Sequence, residues 1–184
     1  MKIPVVGLDP SLRNWGIAEA MLDLEQGFLD TPNLSLIETQ DLKGKQVRQN
    51  SKDLHTAEQL AKAALSVARK AKVIFVEVPV GSQSARAMAS YGICVGVLGA
   101  LRAEGIPLVE VTPTEVKVAF TGNKNATKED MIAAALAFYP NANFPRHRGE
   151  IAAKAEHMAD AVAAIHAGVQ TPLFQNLMRL MAKE

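Results

Sequence analysis

Four large apolar residues, Val73-Ile74-Phe75-Val76, run without a polar interruption straight into Glu77. A strand with one wet face alternates apolar and polar side chains; an unbroken β-branched and aromatic run marks a strand buried on both faces. Such a strand requires a sheet with parallel pairs and helices packed on either side. It also poses a problem, because an ionised carboxylate at the end of a buried strand is costly unless it is paired or bound to metal. Ile3 to Asp9 poses it again: a short apolar run, broken by Gly7, that ends in an acid.

The rest of the chain fits around these two segments. Trp15 to Leu22 and Leu34 to Thr39 read as strands, which with the first make an antiparallel meander. Asp41 to Lys52 reads as a basic connecting loop, carrying Lys43, Lys45, Arg48 and Lys52. Leu54, Ala57, Ala61, Ala64, Ala68 and Ala71 recur at helical spacing before the strand that ends in Glu77. A long helix is expected over Ser84 to Glu104, then a strand over Leu108 to Val111. Thr112-Pro113-Thr114-Glu115 and Thr127-Lys128-Glu129-Asp130 are helix starts, each with a capping threonine and an acid three residues on. Asn141 to Gly149 reads as an irregular loop, Glu150 to Gly168 as an Ala-rich helix, and Pro172 to Lys183 as an amphipathic one. The order implies one α/β domain over residues 1–184, with a mixed sheet covered on both faces and a C-terminal helix in 171–184.

Composition bounds the function classes. A chain of 184 residues, 48% hydrophobic, builds a full core without staples, although with 5% aromatics that core is largely aliphatic. One cysteine, Cys94, excludes a disulfide framework and a multi-cysteine zinc site. The net charge of +1 requires any basic surface to be local. With no secretory pattern at the N-terminus and no membrane-length apolar run, a cytoplasmic protein is expected.

If the strands ending in Asp9 and Glu77 are parallel neighbours, the two acids lie side by side at a strand-end crevice. Close like charges raise a pKa or recruit a cation, and a hard divalent ion with oxygen ligands resolves the conflict. The competing reading has each acid capping the turn after its strand. Further along, Glu156 to Ile165 places His157 and Asp160 on one helical face. The main apolar stripe of that helix is Ile151, Ala155, Met158, Val162, Ile165 and Val169, so His157 and Asp160 point away from it. Alanines at 153, 161 and 164 flank them, small enough for close approach to a sheet. A solvated polar flank with an ion pair from Lys154 is the competing reading there, and Glu156, four residues before Asp160, is an alternative fourth ligand.

Four segments, GLDPSLRNWGIA, VIFVEVP, VKVAFTGNKNATKEDM and HMADAVAAI, resemble in order and spacing the RuvC-type Holliday-junction resolvases. The resemblance covers most of the chain. It implies a ribonuclease H-like fold with a five-stranded mixed sheet, a homodimer, and divalent-metal-dependent cutting of four-way DNA junctions. It implies Asp9, Glu77 and Asp160 as catalytic acids and metal ligands, with His157 at a position that is Asp or His among members. Lys117, Gly122 and Lys128 match a basic helix–loop segment whose lysines face the DNA backbone; Lys124, Arg146 and Arg148 are expected to add contacts. Where many members carry an aromatic three residues after the second acid, this chain has Val80.

Two metal ions held by Asp9, Glu77, His157 and Asp160 would activate water and stabilise the leaving 3′ oxygen. Carboxylates suit Mg²⁺, while an imidazole ligand favours Mn²⁺. No nucleotide cofactor is expected: the first motif loosely resembles the phosphate loop of actin-like ATP-binding folds, but those need two related lobes. The alternatives are a ribonuclease H-like nuclease on other branched or RNA-containing substrates, and a junction-binding protein without catalysis. The glycines at 92, 96 and 99 in the long helix imply close packing, against either the protein's own sheet or a two-fold partner.

Overall fold

Both acid-ending strands stand in the middle of one five-stranded sheet. The computed structural model describes residues 1–44 and 47–181. The sheet has the order β3-β2-β1-β4-β5, built from β1 (Lys2–Asp9), β2 (Asn14–Asp23), β3 (Asn33–Glu38), β4 (Val73–Glu77) and β5 (Leu108–Val111). The first three form the expected antiparallel meander, and β1-β4 and β4-β5 are parallel. Among the described residues six helices cover it: α1 (Gln49–Ala68), α2 (Ala85–Ala103), α3 (Pro113–Thr121), α4 (Lys128–Phe138), α5 (Ala155–Gly168) and α6 (Pro172–Met181).

The pleat sorts side chains into two cores. Val6, Leu8, Trp15, Ile17, Ile74 and Val76 face one way and pack with Leu60, Ala64, Leu98 and Leu101 of α1 and α2. Ile3, Val5, Ala18, Leu22, Val73, Phe75, Val109 and Val111 face the other way, against α5 and the helices around it. Successive residues alternate faces, so Asp9 and Glu77 share the α5 side with Val5 and Phe75.

The helix starts follow their capping chemistry. Thr112 and Glu115 form a complete capping box on α3, Thr127 and Asp130 another on α4, and the Ser84 hydroxyl accepts from Ala87 at the head of α2. Three expectations need correction. The polar segment to Lys52 is helical from Gln49, its first turn anchored by Asp53, which accepts a two-pronged hydrogen bond from Arg86 of α2; residues 45 and 46 of that basic loop lie outside the described ones. The segment 141–149 is not wholly irregular, and α5 does not begin at Glu150. Instead β6 (Arg146–His147) and β7 (Glu150–Ile151) form a hairpin. Its two turn residues, Arg148 and Gly149, have φ of 51° and 87°, the left-handed pair that two-residue hairpins require. α6 is described only to Met181, short of the expected Lys183.

The connection into α5 is tied to the sheet edge. The Asn143 amide donates to the Leu34 carbonyl and accepts from the Leu34 N–H, as a neighbouring strand would. Lys154 pairs with Glu38 of β3, rather than with an acid of its own helix. Among the described residues, no helix is long and apolar enough to cross a membrane.

Candidate active site

In the parallel register Leu8 pairs with Val76, so Asp9 and Glu77 follow as neighbours at the carboxyl ends of β1 and β4. In open α/β sheets, ligand crevices lie at the carboxyl ends of parallel strands.

α5 brings the other two residues to this point by lying directly on the sheet. A Cβ built on Gly7 of β1 would overlap the carbonyl of Ala161, and one on Gly16 of β2 the carbonyl of His157. At the far end, Gly168 of α5 leaves room for the Phe75 ring. Glycine here serves close backbone approach. The alanine-flanked face expected to allow close approach does meet the sheet at Ala161, and Ile165 of the expected apolar stripe meets Gly7 beside it. The helix is buried almost all round. His157 and Asp160, expected to point away from the apolar stripe, lie at the strand ends beside Asp9. Sequence reading passed over Gly7 and Gly16 as site-forming residues; their signal is a glycine inside a strand pattern.

His157 Nδ1 lies 2.8 Å from Asp9 Oδ2 as a hydrogen bond. This bond, foremost, raises the imidazole pKa above its ordinary value, against the effect of burial. Burial pushes Glu77 up to about 8, helped by the charges of Asp9 and Asp160 and opposed by Lys117. Burial also pushes Asp160 up to about 7, with Asp9 adding to the rise and His157 opposing it. The three carboxyl groups thus share one electrostatic site, and their full ionisation is unfavourable there without added positive charge.

A divalent cation fits this donor set: three carboxyl groups and an imidazole around an uncompensated negative charge. As the side chains stand, among the described residues no three His, Cys, Asp or Glu side chains enclose a common point. His157 and Asp9 spend their nearest atoms on each other.

The expected phosphate-holding residues divide. Lys117 of α3 is half-buried and close enough to lower the pKa values of both Glu77 and Asp160. Lys128, at the head of α4, reaches the site through Glu156, its Nζ 2.7 Å from Oε2. Lys124 is exposed in the turn between α3 and α4. Arg146 and Arg148 are exposed on the hairpin before α5, where Arg146 donates to the Gly149 carbonyl. Among the described residues, no hydrogen bond or ion pair joins these last three to the carboxylates.

No family model matches the sequence, and no curated protein does. Solved structures match over nearly its whole length. RuvC of T. thermophilus in complex with a Holliday junction substrate superposes with a TM-score of 0.65 at 18% identity, covering 95% of this chain and 96% of that one. Another Thermus thermophilus RuvC structure gives 0.60 at 19% identity, with 96% of each chain covered. The yeast mitochondrial Holliday junction resolvase Ydc2 gives 0.58 at 16% identity, covering 96% of this chain and 85% of that one. The ribonuclease H-like mixed sheet expected from the motifs is the fold these structures share with this chain.

Proposed function

We propose that the protein is a divalent-metal-dependent endonuclease that cuts four-way DNA junctions as a homodimer. The carrying observation is the convergence of Asp9, Glu77 and Asp160, from two strands and a helix, on one site where burial and mutual repulsion keep Glu77 and Asp160 from ionising freely. The likeness in fold to resolvases, one of them bound to a junction, supports the choice of substrate. The single buried thiol, Cys94, suits a reducing, cytoplasmic setting.

Asp9, Glu77, Asp160 and His157 would hold Mg²⁺ or Mn²⁺, which would supply an activated water and offset charge on the leaving 3′ oxygen. The chain's own groups would do the rest. Glu77 and Asp160 would bind as carboxylates, without their protons. His157, now bonded to Asp9, would offer a borderline-soft nitrogen that favours Mn²⁺. Lys117, beside Glu77 and Asp160, holds the phosphate of the strand to be cut. Lys124, Arg146 and Arg148 carry flanking phosphates, each adding to the salt dependence of binding.

The dimer reading rests on α2. A Cβ on Gly92, Gly96 or Gly99 would meet nothing within 4 Å, so packing on the protein's own sheet does not account for them. Met88 and Val95 on the same helix are each 46% exposed. An exposed face of glycines with apolar neighbours suits a second copy at close range, and a two-fold pair presents two sites to a junction.

The test is cleavage of a four-way junction, a flap and an RNA–DNA hybrid, each with Mg²⁺ or Mn²⁺. Cutting confined to the four-way junction supports the proposal. Preferential cutting of the flap or hybrid overturns it in favour of a ribonuclease H-like nuclease of another kind, and binding without cutting leaves a junction-binding protein.

A further inference from the structure

Glu156 is the acid at the site that is paired with a lysine. It sits beside His157 in the first turn of α5, with Oε2 2.7 Å from Lys128 Nζ and Oε1 3.6 Å from His157 Nε2. The two partners are unequally held: the Glu156 side chain is 20% exposed and that of Lys128 72%. The backbone of Lys128 is fixed by the Thr127–Asp130 capping box at the head of α4, so the movable element is the lysine side chain. Lys128 is thus an ammonium on a fixed root, parked on a carboxylate at the rim of the proposed cutting site.

We propose that Glu156 is a built-in stand-in for the DNA phosphate, a positioning residue that holds Lys128 at the site and gives it up when a backbone phosphate arrives. The inference rests on the functional reading above. A carboxylate and a phosphate offer an ammonium the same charge and the same oxygen acceptors. They repel one another, so Lys128 exchanges one for the other. Exchange has a signature that addition lacks. A free lysine that neutralises a phosphate steepens the salt dependence of binding by about 0.9 in log–log slope. A lysine that must leave a carboxylate gives much of this back, because the carboxylate then gathers a cation from solution.

The experiment is an anisotropy titration of a labelled four-way junction, without divalent cation, over a series of salt concentrations. Glu156→Gln is expected to bind about fivefold tighter at moderate salt, the size of one exposed ion pair, with a salt slope steeper by up to about 0.9. In a Lys128→Ala background the same change is expected to leave affinity and slope nearly unaltered. Glu129→Gln, which removes a charge next to Lys128 in sequence without touching the ion pair, serves as the control and is expected to leave the slope at its wild-type value. Equal effects of the two glutamine variants, or an undiminished gain in the Lys128→Ala background, overturn the latch and indicate general repulsion instead. A wild-type protein that binds no junction removes the functional reading and the latch with it; a wild type that binds while Glu156→Gln changes nothing removes the latch alone.

Discussion

Gly16 of β2 lies directly under the backbone carbonyl of His157 in α5, with no room between them for a methyl group. Gly7 of β1 stands in the same relation to Ala161, one turn further along. These two missing side chains set the height of α5 above the sheet, and with it the reach of His157 and Asp160 to Asp9 and Glu77. Gly16→Ala or Gly7→Ala must lift the helix or bend the strand, at about 1–3 kcal/mol, the usual cost of overfilling a packed interior. The urea midpoint is expected to fall accordingly, and the variant that stays folded is expected to bind Mn²⁺ more weakly. A Gly16→Ala protein with unchanged midpoint and metal affinity would contradict this account of the site.

Metal binding and proton release are linked in sign. Glu77 and Asp160, at about 8 and about 7 in the metal-free fold, bind more protons there than in the unfolded chain, where carboxyl groups titrate near 4. The stability of the metal-free protein therefore falls as pH rises from about 4 to about 8, and levels off above that window. A cation requires the ionised forms, so its binding releases protons. The rise in melting temperature on adding Mn²⁺ is expected to be larger near pH 8 than near pH 5. Calorimetry near pH 7 in buffers of differing ionisation heat is expected to detect release of about one proton or more. Binding heats that do not vary with the buffer would refute the linkage.

The ligand identities are testable one by one. Asp9→Asn removes a charge that acts on Glu77 and Asp160 and replaces one of the two carboxylate oxygens facing His157 with an amide N–H donor. It is expected to bind junctions with near wild-type affinity and to cut them at least 100-fold more slowly, in the range of losses seen when one electrostatic contact to the transition state is removed. His157→Asp replaces a borderline nitrogen with a hard oxygen and is expected to move the rate ratio toward Mg²⁺. An unaltered ratio would leave His157 as the positioner of Asp9 and not a ligand.

The assembly is tested at α2. Gly96→Glu places a charge on the face that carries Gly92 and Gly99, where a side chain meets nothing in the isolated chain. The folded monomer is expected to tolerate it, while self-association, followed by sedimentation, weakens at least tenfold through desolvation of the new carboxylate. A dimer of unchanged affinity would place the interface elsewhere.

The local chemistry was legible in the chain itself. Unbroken apolar runs announced β1 and β4, the threonine caps announced α3 and α4, and an acid at the end of each buried strand announced a charge that needed an answer. The hairpin at Arg146–Ile151 was hidden because two-residue strands carry no periodicity, and its turn uses Arg148 in a conformation that non-glycine residues rarely adopt. The alanines flanking His157 and Asp160 announced the approach of α5 to the sheet, but not its depth. The bulkier stripe through Met158, Val162 and Ile165 is buried as expected. Proximity to the sheet is decided by size, through Gly7 and Gly16 opposite, and those partners are far away in the chain. The sequence by itself determined which residues could hold charge and which segments must be buried, since both are properties of side chains and their near neighbours. Only the tertiary structure decided that Asp9, Glu77, His157 and Asp160 share one space, because that depends on strand register and helix height, which are set by contacts between residues distant along the chain.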